Sequence, residues 1–258
     1  MTVLDSFKLD GKVALVTGGA GLFGRQIVIA LAEAGAKTYV ASRNLEALEA
    51  QAEALRGEGL DVTAMQLDQA DEASVNALRD RLISDAGHVD VLVNNAVARP
   101  MKSWSDGGEA FAKSMAINAT GLYLMTRAFG DAMAERGRGS IINIGSIQGM
   151  VGADFSLYEG LGMDAPPDYY FHKGGLVQLT RYTAARLGPK GVRVNCLSPG
   201  GFFNNQNPTF VERYNQRTFL NRMANDDDLK GAIVFLASDA SAYITGTNLP
   251  IDAGYTAK

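Results

Sequence analysis

Two residues capable of acid–base chemistry stand four positions apart in the run Tyr169-Tyr170-Phe171-His172-Lys173. If the apolar pattern over 174–187 extends back through this run, Tyr169 and Lys173 lie on one face of a helix. A lysine ammonium beside a phenol stabilises the phenolate and lowers a pKa that is ordinarily near 10, so that the tyrosine can donate or accept a proton. The spacing alone also arises by accident, and both residues could simply decorate a helix surface.

Two further polar residues could serve the same reaction. Ser146 follows the apolar run 140–144, at the carboxyl end of a predicted strand, where its hydroxyl could bond the same substrate oxygen. Asn118 lies in a helical stretch over 111–134 and could brace a water chain from Lys173. Each also has a structural interpretation, the serine as a helix N-cap and the asparagine as a buried amide bonded to backbone.

A glycine-rich turn, Thr17-Gly18-Gly19-Ala20-Gly21-Leu22-Phe23-Gly24, joins the first predicted strand to the first predicted helix. Glycines let the backbone turn tightly and approach a pyrophosphate, whose charge is met by backbone N–H groups and the helix dipole. The turn predicts a dinucleotide site, with a merely structural turn as the alternative. The predicted site residues are Gly18, Gly21, Leu22, Phe23 and Gly24.

The end of the second predicted strand indicates which dinucleotide binds. An acidic side chain there usually holds the free ribose 2′-hydroxyl of NAD, whereas this chain has Ser42 and Arg43. A hydroxyl and a guanidinium suit a 2′-phosphate, because arginine carries a permanent charge and several N–H donors. The sequence therefore favours NADP over NAD, unless Arg43 only decorates a solvated helix start.

The elements that must position these residues alternate between strand and helix. Seven short apolar runs are predicted to be buried strands, at 12–17, 37–41, 61–67, 89–94, 140–144, 192–197 and 248–251. Helical patterns between them require parallel pairing and right-handed crossovers. The predicted fold is a single α/β domain over 1–258, a Rossmann-type doubly wound parallel sheet of about seven strands with helices on both faces.

Two stretches, 147–167 and 200–223, depart from this alternation of strands and helices. Both follow the carboxyl ends of strands, where this architecture binds ligands, and both are predicted to be irregular substrate loops. The first begins at Ser146 and returns just before Tyr169, so it is predicted to lie across the pocket mouth as a lid, with a passive surface excursion as the alternative.

Composition excludes several classes of partner. The net charge is −4, and no basic run is long enough to bind along a phosphate backbone, so no nucleic-acid partner is expected. No apolar stretch approaches the roughly 20 residues of a membrane span and the amino terminus lacks a leader, so a cytoplasmic protein is expected. Cys196 is predicted to be a buried thiol, and with two histidines it cannot build a His/Cys metal site. No metal is therefore expected, although a site built from carboxylates stays open in principle.

Together these motifs resemble those of the short-chain dehydrogenase/reductase family in its compact type. The likeness runs from about residue 9 to residue 255. It is carried, in family order, by the TGGAGLFG turn, Asp68, Asn94-Asn95-Ala96, Asn118, Ser146, Tyr169 with Lys173, and Ser198-Pro199-Gly200. The resemblance implies NAD(P)-dependent interconversion of an alcohol and a ketone.

The resemblance also implies residue roles. Tyr169 would be the acid/base, Lys173 would hold the nicotinamide ribose and lower the tyrosine pKa, and Ser146 would position the substrate oxygen. Asn118 would support proton relay. The cofactor set would be completed by Asp68 at the adenine, by Asn95 and Ala96 beside the adenosine ribose, and by Pro199, Gly200 and Phe202. Compact members commonly form tetramers, so a homotetramer is expected.

Three features depart from the usual pattern of compact members. The glycines follow Gly-x-x-Gly-x-x-Gly spacing, which is more typical of a longer branch with an extra substrate domain, and it is interpreted as a local variant because the chain has no room for that domain. Val97 replaces a usual glycine. The separation between Ser146 and Tyr169 is longer than usual.

The insertion bears on the substrate. Gln148, Glu159, Asp164 and Asn204 are predicted to bind it, and polar residues mixed with aromatic ones suit a sugar, polyol or sugar acid. Two alternatives stay open. One is a reductase of a more apolar ketone or a 3-oxoacyl substrate, and the other is a protein that senses NADP without turnover.

Overall fold

The computed structural model describes residues 2–257, and its centre is one fully parallel seven-stranded sheet. The strands are β1 (Val13–Thr17), β2 (Lys37–Ser42), β3 (Val62–Gln66), β4 (Val91–Asn94), β5 (Gly139–Ile144), β6 (Val192–Pro199) and β7 (Asn248–Ile251). Their order is β3-β2-β1-β4-β5-β6-β7, so the direction of winding reverses between β1 and β4. The predicted strands are confirmed to within two residues at every end.

Helices cover both faces of the sheet. They are α1 (Leu22–Glu33), α2 (Leu45–Gly57), α3 (Glu72–Ala86), α4 (Gly108–Met115), α5 (Leu122–Glu135), α6 (Pro167–Leu187), α7 (Pro208–Arg217) and α8 (Lys230–Ala237). The apolar residues of α1, α2 and α8 form one core layer, and those of α3, α5 and α6 form the other. The doubly wound, single-domain α/β fold is therefore confirmed.

The strands are apolar throughout because both of their faces are covered. In β1, Ala14 and Val16 point into the first layer, and Val13 and Leu15 into the second. Successive side chains of a strand alternate between faces, so a strand buried on both sides shows no polar alternation. For this reason, the continuous apolar runs in the sequence predicted the positions of the strands correctly.

The helical stretch predicted over 111–134 is not one α-helix. A π-helical turn, Ala116–Gly121, separates α4 from α5. The side-chain amide of Gln69 donates to the Ile117 carbonyl at 3.0 Å, and an added Cβ at Gly121 would meet the Gln69 carbonyl oxygen at 2.6 Å. A polar group inserted into the backbone ladder and a close backbone contact are ordinary causes of such an interruption.

The segment 200–223, predicted to be irregular, contains α7. The Asn207 Oδ1 atom accepts from the Thr209 N–H at 2.9 Å, and Pro208 occupies the first helical position. Both are standard helix-start signals that the prediction overlooked. Segment 147–167 contains two short 3₁₀ turns, Ile147–Gly149 and Phe155–Leu157, and is otherwise irregular.

Within the part of the chain that the structure describes, no helix combines the length and the apolar character needed to cross a membrane.

Candidate active site

A cavity of about 800 Å³ lies along the carboxyl ends of the strands. Its walls come from the loops that follow β1 through β6, and it opens where the winding of the sheet reverses between β1 and β4. Such a reversal leaves a crevice between neighbouring loops, which is where open α/β sheets bind ligands.

The glycine turn forms one wall of this cavity. Gly18 has a φ of +68°, and a Cβ added there would lie 2.7 Å from the Ala96 Cα. A Cβ at Gly24 would lie 2.2 Å from the Gly18 carbonyl oxygen. Gly21 is the N-cap of α1 and offers no side-chain acceptor, so the first amides of α1, which include those of the cavity-lining residues Leu22 and Phe23, are left for a ligand.

Thr17 and Gly19 also shape this wall, although the sequence-based prediction of cofactor residues omitted them. The Thr17 hydroxyl accepts from the N–H groups of Asn95 and Ala96 at 3.1 and 3.0 Å. The Asn95 amide donates back to the Thr17 and Gly18 carbonyls. A Cβ at Gly19 would lie 2.0 Å from a Val40 methyl carbon. A threonine directly before a glycine turn was the available signal for this clamp between the β1 and β4 loops.

Ser42, Arg43 and Asp68 line the far end of the cavity. Arg43 is exposed, and among residues 2–257 no carboxylate pairs with it; its backbone carbonyl accepts from the Gln66 amide at 2.9 Å. The Asp68 carboxylate accepts from the Ala70 N–H at 3.0 Å. Pro199, Gly200 and Phe202 complete the wall after β6, and the Phe202 ring meets Phe23 edge-on at 5.0 Å between centroids.

Tyr169 and Lys173 lie on α6 and both line the cavity. The Lys173 Nζ atom lies 5.6 Å from the centroid of the Tyr169 ring and donates to the Ile144 carbonyl at 2.6 Å. Burial lowers the pKa of Lys173, and the neighbouring Tyr169 opposes that shift. The lysine is thus held by the end of β5, the strand that precedes Ser146.

The surroundings of Tyr169 favour its phenolate. Burial alone would raise the pKa of Tyr169, but the positive charges of Lys173 and Arg99, with hydrogen bonds from Ser146 and Arg99, bring it below its ordinary value. The Ser146 Oγ atom accepts from the Gln148 N–H at 3.2 Å. The serine proton is therefore available for the phenol oxygen or for a substrate oxygen.

Arg99 is a site residue that the sequence analysis missed. The centre of its guanidinium lies 4.6 Å from the centroid of the Tyr169 ring, and it lines the cavity. From the sequence, the loop after β4 was expected only to contact the cofactor. The available signal was a cation three positions after the Asn94-Asn95-Ala96 run.

Asn118 is buried but does not line the cavity. Its Oδ1 accepts from the Ala98 N–H and its Nδ2 donates to the Ala98 carbonyl, each at 2.8 Å, while Nδ2 also donates to the Ser114 hydroxyl. Both amide hydrogens are thus used. The side chain therefore holds the β4 loop, and its support of a water chain from Lys173 stays a prediction.

Three of the four predicted substrate residues line the cavity: Gln148, Asp164 and Asn204. Gln148 donates to the Tyr158 hydroxyl at 3.4 Å, and the Asp164 carboxylate accepts from the Trp104 N–H at 3.0 Å. The fourth predicted substrate residue, Glu159, does not line the cavity. It is exposed and lies outside the lining, because the turn around it is held outward by a bond from Arg213 to its carbonyl at 2.8 Å.

The two segments predicted as substrate loops pack against each other. Ile147, Leu157, Phe210, Tyr214 and Met223 form one apolar cluster between them. Polar bonds reinforce it, because Arg213 of α7 donates to three carbonyls of residues 156–159, and Arg217 pairs with Asp154 at 2.8 Å. Segment 147–167 is therefore fastened to α7 at the cavity edge.

His172 lies directly behind the reacting tyrosine. Its ring meets Tyr169 edge-on at 5.1 Å between centroids, and the side chain is buried. Burial, with smaller effects from Lys173 and Arg99, lowers the pKa of His172 to about 3. The imidazole is therefore neutral and acts here as a packing group.

Comparison with known proteins agrees with this geometry. The model of a protein family described as enoyl-(acyl carrier protein) reductase matches residues 20–256. The D-threitol dehydrogenase of Mycolicibacterium smegmatis is 36% identical over 264 residues, spanning 100% of this chain and 98% of that protein.

Two solved structures are similar over nearly their whole length. One is a gluconate 5-dehydrogenase from Burkholderia cenocepacia in complex with NADP and tartrate, with 31% identity, a TM-score of 0.91 and 100% of both chains covered. The other is a short chain dehydrogenase from Leptospira borgpetersenii with bound NAD+, with 30% identity, a TM-score of 0.87, and 98% and 95% covered.

Proposed function

This chain belongs to the short-chain dehydrogenase/reductase family and is an oxidoreductase of CH–OH groups that uses a nicotinamide cofactor, and from that premise we propose its substrate and cofactor preference. The substrate is a small polyhydroxylated secondary alcohol or the matching ketone: a sugar, polyol or sugar acid. The cofactor is NADP. The observation that carries the proposal is that Ser146, Tyr169 and Lys173 meet in a cavity with a polar and aromatic lining.

The residues of the far wall fit a dinucleotide. The first amides of α1 and the bare backbone of Gly18 and Gly21 would hold the pyrophosphate, since a Cβ at Gly18 is excluded by both space and φ. Ser42 and Arg43 would hold a 2′-phosphate. Asp68, Asn95 and Ala96 would contact the adenosine part, and Lys173 would hold the nicotinamide ribose. When bound, the nicotinamide supplies the acceptor or donor of a hydride.

In the oxidation direction, the Tyr169 phenolate accepts the hydroxyl proton of the substrate alcohol, while the bound nicotinamide would take the carbon-bound hydrogen with its electron pair. The product is a ketone, and the tyrosine is left protonated. Ser146 donates to the substrate oxygen and orients it. Lys173 and Arg99 stabilise the phenolate by charge, and Asn118 maintains the loop that carries Arg99. In reduction, each transfer runs backwards.

The lining supports a substrate rich in hydroxyls. Gln148, Asp164 and Asn204 offer donors and acceptors, while Tyr158 and Phe210 offer ring faces to C–H groups. An apolar ketone or acyl chain would leave these polar groups without partners, which costs free energy. The relatives named for threitol and gluconate support the same class.

We also propose a homotetramer in the cytoplasm. Phe171 and Tyr182 of α6 are 65% and 59% exposed, and Tyr123 of α5 is also exposed. Aromatic side chains on neighbouring helices favour burial against another copy of the chain. The lone cysteine, Cys196, is buried and free, which suits a reducing compartment.

The experiment is a panel of substrates followed by nicotinamide absorbance at 340 nm. The panel holds threitol, galactitol and gluconate with NADP+ or NAD+, and an apolar ketone and a 3-oxoacyl thioester with NADPH. We expect turnover on the polyhydroxylated compounds, with NADP+ preferred. Turnover confined to the apolar compounds supports a reductase instead, and cofactor binding without any turnover supports a sensor.

A further inference from the structure

We propose that the substrate carries a carboxylate close to its reacting carbon and that Arg99 binds this carboxylate. The inference rests on the proposed function and narrows it from polyhydroxylated compounds in general to sugar acids and similar hydroxy acids. It assigns Arg99 a role in substrate specificity in addition to its stabilisation of the Tyr169 phenolate.

The backbone around Arg99 is held firmly. The preceding residue, Ala98, is bonded through both its N–H and its carbonyl to the Asn118 side chain at 2.8 Å. The following residue is Pro100, and a residue before proline is restricted to extended conformations. Arg99 therefore projects from a fixed point rather than from a free loop.

The guanidinium is placed beside the reacting groups. It lies 4.6 Å from the centroid of the Tyr169 ring, and Arg99, Ser146 and Tyr169 line the same cavity. A substrate whose hydroxyl bonds both Ser146 and Tyr169 therefore has its neighbouring atoms within the reach of Arg99. A carboxylate there would receive charge-assisted bonds from a planar donor fork.

The charge of Arg99 is not neutralised within the described part of the chain, because its partner is the Tyr169 phenol and not a carboxylate. Among residues 2–257, no carboxylate lies within 4.0 Å of its guanidinium. The other cations that line the cavity are Lys173, which donates to the Ile144 carbonyl, and Arg43, which lies at the far end with Ser42 and Asp68. The charge left for a substrate is that of Arg99.

Two acids that line the same cavity, Asp164 and Asp168, suit the remaining part of such a substrate. The Asp164 carboxylate already accepts from the Trp104 and Ala165 N–H groups. Asp168 lines the cavity, and its Oδ1 is a buried acceptor without a partner in the described part of the chain. Substrate hydroxyls supply donors for such acceptors, so hydroxyls and a carboxylate on one molecule complement both signs of charge.

Arg99 also acts on Tyr169, which gives a second readout. The groups that set the charge around the phenol are Lys173 and Arg99 on the positive side, with Asp164 and Asp168 nearby; the buried His172 is neutral. Since the Arg99 charge lowers the pKa of Tyr169, its removal raises that pKa. The pH profile for a neutral substrate then moves to higher pH.

The test compares matched pairs of acid and neutral polyol, D-gluconate with D-glucitol and threonate with threitol. The enzymes are the wild type, Arg99→Met, Arg99→Lys and the control Arg81→Met on α3, which lies outside the cavity lining. Rates are taken on the pH plateau of each enzyme, so that the change in the Tyr169 pKa does not enter the comparison.

We expect the wild type to prefer the acid at least ~10-fold in kcat/KM, and Arg99→Met to lose about 10- to 100-fold on the acid with a small loss on the polyol. Arg99→Lys should retain part of the preference, and Arg81→Met all of it. A wild-type ratio of acid to polyol near one, or a ratio that Arg99→Met leaves unchanged, overturns the inference while the proposed function stands.

A panel without turnover of any polyhydroxylated compound overturns the proposed function instead. Calorimetric titration of D-gluconate and D-glucitol into the NADP-bound enzyme then decides the inference separately. Gluconate binding that is lost in Arg99→Met supports it. Absent gluconate binding, or binding that Arg99→Met retains, overturns it.

Discussion

Tyr169 is the residue on which the proposed chemistry converges, and it differs from an ordinary tyrosine through its neighbours. Lys173 reaches it from the same helix, Ser146 from the end of β5, and Arg99 from the loop after β4. Each of these groups favours the charged phenol over the neutral one. The phenolate is therefore formed at a lower pH than in solution.

We predict that Tyr169→Phe lowers kcat by at least ~100-fold, because the proton acceptor is lost, while cofactor affinity changes little. Lys173→Met should lower both kcat and cofactor affinity, since in our proposal the lysine also holds the nicotinamide ribose. Steady-state kinetics and cofactor titration separate the two effects. A fully active Tyr169→Phe enzyme would contradict the assignment.

The direction of the Tyr169 pKa shift predicts a pH dependence. Oxidation needs the phenolate, so kcat/KM for the alcohol should rise with pH with a midpoint below the ordinary tyrosine pKa of 10. Ketone reduction needs the neutral phenol and should fall over the same range. Profiles measured in both directions should share one apparent pKa. Separate midpoints would assign the titration to another group.

Arg43 decides the cofactor preference in this proposal. Arg43→Ala removes charge-assisted bonds to a 2′-phosphate, which are worth about 1.5–3 kcal/mol, so NADP affinity should fall roughly 10- to 150-fold. NAD affinity should change little. Parallel titrations of wild type and variant measure this. Equal losses for both cofactors would show that Arg43 only supports the fold.

At the scale of elements, α7 and the 147–167 segment act as one unit. Arg213 bonds three carbonyls of residues 156–159. These bonds hold the polypeptide that leads to Asp164 at the cavity edge. The segment was predicted to be a lid, and its fastening to α7 means that movement of the segment requires α7 to move or these bonds to break.

We predict that Arg213→Met raises KM for the alcohol about 3- to 10-fold and leaves NADP affinity unchanged, because the segment that borders the substrate loosens while the cofactor wall does not. Limited proteolysis within 147–167 should be faster in the variant. Glu212→Gln, an exposed neighbour on the same helix, is the control. If KM and proteolysis in Arg213→Met both equal the control values, the coupling has no kinetic role.

The π-helical turn before α5 also positions a loop of the site, the one after β4. It carries Asn118, whose side chain grips the backbone of Ala98, and it is itself held by Gln69. Through this chain of contacts, the loop after β3 and the start of α5 set the position of the loop after β4. Arg99 is therefore placed by three elements that are distant in sequence.

At the scale of the whole molecule, exposed aromatic residues on α5 and α6 predict assembly. Light scattering at micromolar concentration should return four times the 27.4 kDa chain mass. Tyr182→Glu on α6 places a charge among the exposed aromatics and should shift the enzyme towards smaller species, whereas Tyr243→Glu, on an exposed residue elsewhere, should not. A single-chain mass for the wild type would contradict the assembly.

The sequence by itself determined the elements and the local motifs. Strands buried on both faces are continuously apolar. The glycine turn directly follows a strand and leads into a helix N-terminus, which is the arrangement of a phosphate-binding turn. The spacing of Tyr169 and Lys173 places them on one face of a helix. These features depend on residues close together in the chain, so their pattern can be recognised without the fold.

Only the tertiary structure decided the contacts between loops. Arg99 lies over Tyr169 although 70 positions separate them, the Asn118 side chain holds the backbone of Ala98, and Glu159 lies outside the cavity. A loop takes its path from packing and hydrogen bonds to elements that are remote in sequence, such as those that Arg213 makes. No local periodicity records where such a path directs a side chain, because side-chain direction there follows long-range contacts rather than helical or strand geometry.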